Sequence, residues 1–313
     1  MQSRGRSGGG GMVSAAALFG ARLIAMLPLS VAHALGAMFA RLAFLFARRE
    51  RDRLHANLAI AGYGDDPRLA RAAIGEAGKT MFELPWVWLR PVDEVLARVR
   101  SVEGIEHVVA ANERGSGVVF LTPHLGCFEV AAQFAGSHGP ITVMFRAPRQ
   151  PALRPLLEAG RRRGSVSLVP ANTRGATALL AALRRGEWIG VLPDQVPTGG
   201  EGEWAPFFGR PAFTMTLAAK LVERTGATVL MAVCERLPRG RGWTIRIEPL
   251  TLPPPEAAES ATAAMNRALE IVIRRRPEQY LWSYHRYRAP AGVTPPDGAV
   301  DGTANDTADR AAG

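Results

Sequence analysis

His124 and Glu129 stand five residues apart in "TPHLGCFE", directly after the apolar run "GVVFL". A base and a carboxylate at that spacing allow three readings: a catalytic pair, part of a metal site, or a helix start that happens to contain histidine. An imidazole with one nitrogen held by a carboxylate has a fixed tautomer and raised basicity. Its other nitrogen can then take a proton from a hydroxyl. Within one ideal helix, residues five apart point about 140° away from each other. The pair therefore meets only if His124 lies in the turn before a helix and Glu129 in that helix's early turns. The flanks suggest this strand–turn–helix context, and Gly126 lets backbone or substrate come close. Polar residues just past the carboxyl end of a buried strand are where α/β folds place chemistry. First-turn N–H groups also favour developing negative charge.

The other readings stay open beside this one. GxSxG is absent, so Cys127 is the candidate for a covalent route, and on a buried helix face it would be filler. His107, His124 and His138 lack metal-ligand spacing, although with Asp194 or Glu129 they could converge. The bland alternative has His124 capping a helix and Glu129 facing solvent.

A basic belt comes next. "FRAPRQPALRPLLEAGRRRG" carries Arg146, Arg149, Arg154, Arg161, Arg162 and Arg163 against Glu158 alone, six minus one or +5. Guanidinium forks suit phosphate oxygens. Arg161 and Arg163 alternate in direction, so one or two of the set face a cleft; the belt also fits a solvated face beside acidic phospholipid. "GVLPDQ" again ends a strand in a polar turn, where Asp194 and Gln195 could line a pocket or orient an arginine. "FFG" at 207–209 offers apolar lining. In "EQYLWSYHRYR", His285, Arg286 and Arg288 sit among aromatic residues that pack a corner or face a membrane interface.

The elements that position these groups are legible in outline. The chain has 313 residues, 47% of them hydrophobic, which is ample for a sizeable core. Its formal charge is +10, with lysine only at Lys79 and Lys220, and it favours anionic partners. Nucleic acid is not expected, because no aromatic platforms or helix-turn-helix signature accompany the arginines. Cys127 and Cys234 have no CxxC spacing, against a zinc ribbon or disulfide framework. Residues 1–14 read as a disordered basic start, and 15–47 as a membrane-anchoring or interfacial helix. Between Arg22 and Arg41 lie eighteen residues, apolar apart from Ser30 and His33 and broken by Pro28. That length is borderline for crossing a bilayer. Arg48, Arg49, Arg51 and Arg53 suit anionic headgroups and keep the downstream chain cytoplasmic. The alternative is a buried core helix. Residues 54–100 read as helical, with breaks at "GYGDDP", Pro85 and Pro91, and Trp86 and Trp88 mark a packed corner or the membrane interface. From "EGIEHV" onward, strands and helices alternate, which predicts an α/β sandwich around a largely parallel, mixed sheet over the domain 48–289. Residues 290–313 read as a disordered polar tail.

With these pieces assembled, "HLGCFE" resembles the H-x4-D/E block of glycerolipid acyltransferases, in the glutamate version of the late lauroyl/myristoyl acyltransferases of lipid A biosynthesis. "RDRLHANLAIAG", "FRAPRQPALRPLLEAGRRRG", "ALRRGEWIGVLPDQ", "PFFGRPAFT" and "PEQYLWSYHRYR" resemble further blocks of that family in order, from about residue 15 to residue 289. The resemblance implies a glycerolipid-acyltransferase-like fold with an amino-terminal membrane helix at the cytoplasmic face of the inner membrane. It implies transfer of an acyl chain from acyl carrier protein, or alternatively coenzyme A, to a hydroxyl of an acylated, phosphorylated glucosamine disaccharide. His124 and Glu129 take the catalytic places, and Arg146, Arg161, Arg163 and Asp194 those of substrate binding, with no metal or other cofactor. The family often has Asn-Trp where this chain has Cys127 and Phe128. Other lipid acceptors, and a peripheral membrane protein without catalysis, are the competing expectations.

Overall fold

A computed structural model describes residues 18–146, 154–197 and 201–296, with side chains from residue 157 on in the helix that begins at Arg154. The basic start at 1–14, Arg149, the Arg154 side chain and the tail beyond 296 lie outside the described residues.

The amino-terminal part is helical. Helix α1 (18–26) stops at Pro28, which lacks an N–H to continue it, and α2 (Leu29–Phe46) starts there. Then come α3 (Arg48–Ile60), α4 (Pro67–Leu89) and α5 (Val92–Leu96). Asp66 caps α4 through the N–H groups of Arg68 and Leu69. The helix runs straight through Pro85, where a break was expected. Only the Met81 carbonyl loses its helical donor there, and Met81 lies on the exposed face, where water can replace it. Trp86 and Trp88 are buried, so they form the packed corner and not a membrane face.

The rest alternates: β1 (Val99–Glu103), α6 (Ile105–Arg114), β2 (Val118–Leu121), α7 (Phe128–His138), β3 (Ile141–Phe145), α8 (Arg154–Arg161), β4 (Val166–Pro170), α9 (Thr173–Arg184) and β5 (Trp188–Val191). A hairpin, β6 (Gly202–Phe207) and β7 (Arg210–Met215), precedes α10 (Leu217–Thr225), β8 (Thr228–Arg236), β9 (Trp243–Pro249) and α11 (Ala261–Arg275). Seven strands form one sheet in the order β1-β9-β8-β2-β5-β3-β4, parallel throughout except for β8 against β9. This is the expected mixed, mostly parallel α/β sandwich. The period-two alternation of β2 shows why its sequence is continuously apolar: Val119 and Leu121 pack on one face with Leu58, Leu179 and Leu269, while Val118 and Phe120 pack on the other with Trp86, Val108 and Val130. The ordered contacts also pass Pro290, since Trp204 Nε1 donates to the Thr294 carbonyl at 3.1 Å.

Helix α2 crosses α4 at Gly36 and Gly78, where a Cβ on either would strike the other's carbonyl. Beside this crossing lies a buried polar chain. His33 Nε2 sits 2.7 Å from Glu83 Oε1, which also accepts from Trp243 Nε1 at 3.0 Å. Arg236 bridges Glu83 and Glu76 and donates to the Gly126 carbonyl at 3.2 Å. Burial alone would raise the Glu83 carboxyl; the Arg236 charge and the His33 bond outweigh it and hold that carboxyl well below the usual range.

Candidate active site

Strands β2 and β5 are parallel neighbours in register, Leu121 opposite Val191. Each ends in a proline turn of the same length, Leu-Thr-Pro-His at 121–124 and Val-Leu-Pro-Asp at 191–194. Equal offsets from paired strand ends bring His124 and Asp194 side by side. His124 Nδ1 lies 2.8 Å from Asp194 Oδ1, and the His124 backbone N–H donates to Oδ2 at 3.0 Å. Asp194 is 1% exposed and the ring 15%. Burial would raise the Asp194 carboxyl, but the His124 ring and its two bonds outweigh it and leave the carboxyl lower than ordinary. An ionised Asp194 accepts, so Nδ1 carries the proton and Nε2 presents its lone pair. Gln195 Nε2 stands 3.1 Å from that lone pair.

The expected partnership of His124 with Glu129 is not the one the structure forms. The turn between them is pinned: Gly126 N–H donates to Gln279 O at 3.1 Å, Cys127 N–H to Cys234 O at 2.9 Å, and Leu281 N–H to His124 O at 3.1 Å. This fixes the ring over the end of β5, while Glu129, in the first turn of α7, faces α8. There Arg161 Nε donates to Glu129 Oε1 at 2.8 Å, with Nη2 on the same oxygen. The Arg161 guanidinium also lies 5.6 Å from the Trp88 ring centroid and 5.4 Å from that of Phe145. Its Nη1 makes no hydrogen bond to any described residue.

One cavity of about 290 Å³ joins these groups: His124, Glu129, Arg146, Arg161 and Gln195 all line it. Gln133 lines it too, donating to the Val87 carbonyl at 3.1 Å and leaving its own Oε1 without a donor among the described residues. Arg163 is not in this wall. Its guanidinium holds the carbonyls of Trp88 and Arg90, because the turn after α8 points it back toward the end of α4. Cys127 is buried, and burial pushes its thiol well up, which suits filler and not a nucleophile. Arg286 is a buried clamp on Phe213 O and Thr214 Oγ1, so the aromatic block around it packs a corner. Among the described residues, no three His, Cys, Asp or Glu side chains are placed to hold a metal ion.

Behind the polar cavity lies an apolar one of about 200 Å³, walled by Phe120, Ala135, Trp188, Ile245 and Ile247. The two share Phe128, Ala132, Val143 and Leu192. The site thus has an imidazole whose Nε2 meets only the displaceable Gln195 amide, a cationic wall and an adjoining apolar recess. Such an arrangement can deprotonate a hydroxyl beside a phosphorylated group and hold a hydrocarbon chain.

The sequence model of the family described as bacterial lipid A biosynthesis acyltransferase matches residues 11–289. The chain is 27% identical over 278 residues to the lipid A biosynthesis lauroyltransferase of Escherichia coli, covering 87% of this chain and 90% of that protein. It is 27% identical over 218 residues to the lipid A biosynthesis palmitoleoyltransferase of the same bacterium, covering 69% and 70%. It is also similar to the phosphatidylinositol mannoside acyltransferase of Mycobacterium tuberculosis, 26% identical over 198 residues, covering 62% and 60%.

Proposed function

Because the chain belongs to the bacterial lipid A biosynthesis acyltransferase family, we propose that it transfers a fatty acyl chain from acyl carrier protein to a hydroxyl of an acylated, phosphorylated glucosamine disaccharide. The reaction takes place at the cytoplasmic face of the inner membrane. The observation that carries this is the His124 ring, held at Nδ1 by Asp194 and lining a cavity with arginine on one side and an apolar recess behind it.

In this mechanism the acceptor hydroxyl displaces the Gln195 amide from His124 Nε2 and gives up its proton there. The oxygen attacks the thioester carbonyl, and a tetrahedral oxyanion forms. First-turn N–H groups of α7 and the Arg161 guanidinium, on the wall of the cavity that His124 lines, would stabilise it. The carbon–sulfur bond then breaks, the proton on Nε2 passes to the thiolate, and ester and free thiol leave. Glu129 acts on this chemistry through Arg161, which it fixes between Trp88 and Phe145. Arg146 and Arg161 meet acceptor phosphate, and the basic belt attracts the acidic carrier protein.

The test is product analysis. Full-length protein in detergent is given acyl carrier protein thioester and the phosphorylated disaccharide, and the lipids are read by mass spectrometry. A new ester is expected. Free fatty acid alone identifies a hydrolase, and no turnover with any phosphorylated acceptor rejects the proposal. Offering a phosphatidylinositol mannoside in parallel decides the acceptor class.

The recess carries a second prediction. Ala132→Trp fills the wall common to both cavities. It is expected to lower transfer of long chains at least about 10-fold while donors of four to six carbons retain most of their rate, since the latter need little of the recess. Equal losses for short and long chains would place the hydrocarbon elsewhere.

A further inference from the structure

The helix Leu29–Phe46 is the one, among the described residues, long and apolar enough to cross a membrane. Its packing argues for a different placement. The buried residues Leu29, Ala32, His33, Gly36, Ala37 and Ala40 form one stripe at helical spacing along most of its length. That stripe lies on α4, from the His33–Glu83 contact to the crossing at Gly36 and Gly78 and on to Arg41, whose guanidinium covers Gly75. The joint with α1 is fixed as well: Trp86 Nε1 donates to Leu27 O at 3.0 Å, and Arg90 Nε to Ala25 O at 2.7 Å. At the other end Arg51 donates to Phe44 O at 3.0 Å.

An upright α2 would carry this partner surface with it. Glu76, Lys79 and Glu83 of α4, and Arg236 behind them, would enter the hydrocarbon, where charged groups are costly. Undocking α2 instead would uncover Glu83 and leave the Trp86 and Arg90 donors without their carbonyls. Neither cost arises if the helix lies flat. The opposite face is an exposed apolar ridge, Leu35, Met38, Leu42, Leu45 and Phe46, and α1 exposes Phe19, Leu23 and Met26 as well. Exposed Arg22, Arg41 and Arg48 flank the ridge, as anionic headgroups require.

We propose that α1 and α2 form a one-leaflet membrane-docking surface, lying in the plane of an anionic bilayer with the Leu35–Phe46 ridge sunk to the headgroup–acyl boundary and neither helix crossing. The proposal stands on packing and charge and does not rest on the acyl-transfer chemistry.

Single cysteines at Val31, Leu35, Leu42 and Phe46, in the full chain, carry a fluorophore; the unsubstituted chain controls for the buried Cys127 and Cys234. The protein is bound to vesicles of phosphatidylethanolamine and phosphatidylglycerol containing nitroxide lipids quenching at shallow or deep positions. A flat helix gives all four labels depths within about one helical pitch, roughly 5 Å. It also leaves Arg22→Cys and Arg48→Cys open to a membrane-impermeant thiol reagent from the same side. A spanning helix would spread residues 31 and 46 over about 22 Å of depth and protect one of the two ends, and either result overturns the proposal. Absent quenching together with a cross-linked dimer also overturns it, by making the ridge a contact between two copies.

Discussion

His124→Ala is expected to lower acyl transfer by about 10²–10⁴-fold, the range a positioned general base contributes, while membrane association and circular dichroism stay as in the parent. Asp194→Asn should fall comparably, by on the order of 10³–10⁴-fold, because an amide can present its N–H group to the ring and favour the tautomer whose Nε2 is protonated. Both losses belong in kcat, since neither residue lies in the cationic wall proposed to meet acceptor phosphate. Glu129→Gln behaves differently. It loosens the grip on Arg161 without touching the ring, so a rise in KM for the phosphorylated acceptor accompanies whatever kcat loses. Steady-state rates with acyl carrier protein thioester, with kcat and KM separated for the three variants, decide the matter. Full kcat in Asp194→Asn with collapse in Glu129→Gln would mean that Glu129, not Asp194, steadies the ring at work.

The second large effect is on stability. Glu83 is fully buried and accepts from His33, Arg236 and Trp243. Removing one member of a buried ion pair leaves the other uncompensated, at about 3–5 kcal/mol. Glu83→Ala or Arg236→Met should therefore lower the unfolding midpoint by on the order of 10 °C. The double variant Glu83→Leu with Arg236→Met should recover much of that loss, because no charge is then stranded. The pair also has a pH signature. A carboxyl depressed in the folded state contributes stability that is complete above its unfolded value, about 4.3, and is lost as pH falls toward its folded value. Melting curves from pH 7 to 3 should show the parent weakening below about pH 4.3, with less of this in the double variant. Single variants no less stable than the parent would show that the buried charges do not support one another.

Fold and site differ in how far the sequence alone made them legible. Strand–helix alternation past residue 104 and the polar ends of "VVFL" and "WIGV" come from local periodicity, and the sheet comes from them. The hairpin 202–215 is hidden, because "FFG" reads as apolar lining and not as a turn; Phe208 takes a positive φ there. His124 and Arg161 were visible as residue types in a suggestive place. Their partners were not, because sequence nearness favours Glu129, whereas register between two distant strands brings up Asp194. The signal was present in the matching offsets of "LTPH" and "VLPD", but it becomes decisive only once β2 and β5 are known to be neighbours. Arg236 and Glu83 had no local signature; they come together only when α4 packs beside β8.

The crossing of α2 over α4 also decides how this enzyme can be handled at the bench. A shortened version starting after residue 47, the usual route to a detergent-free sample, would remove the lid over Gly78 and strip His33 from Glu83. It would also open to solvent the charge cluster whose last contact is the carbonyl of Gly126, two residues past His124. The greasy segment is therefore less a tether to be trimmed than a wall of the catalytic body, and preparations meant to keep turnover should retain it within a lipid or detergent belt.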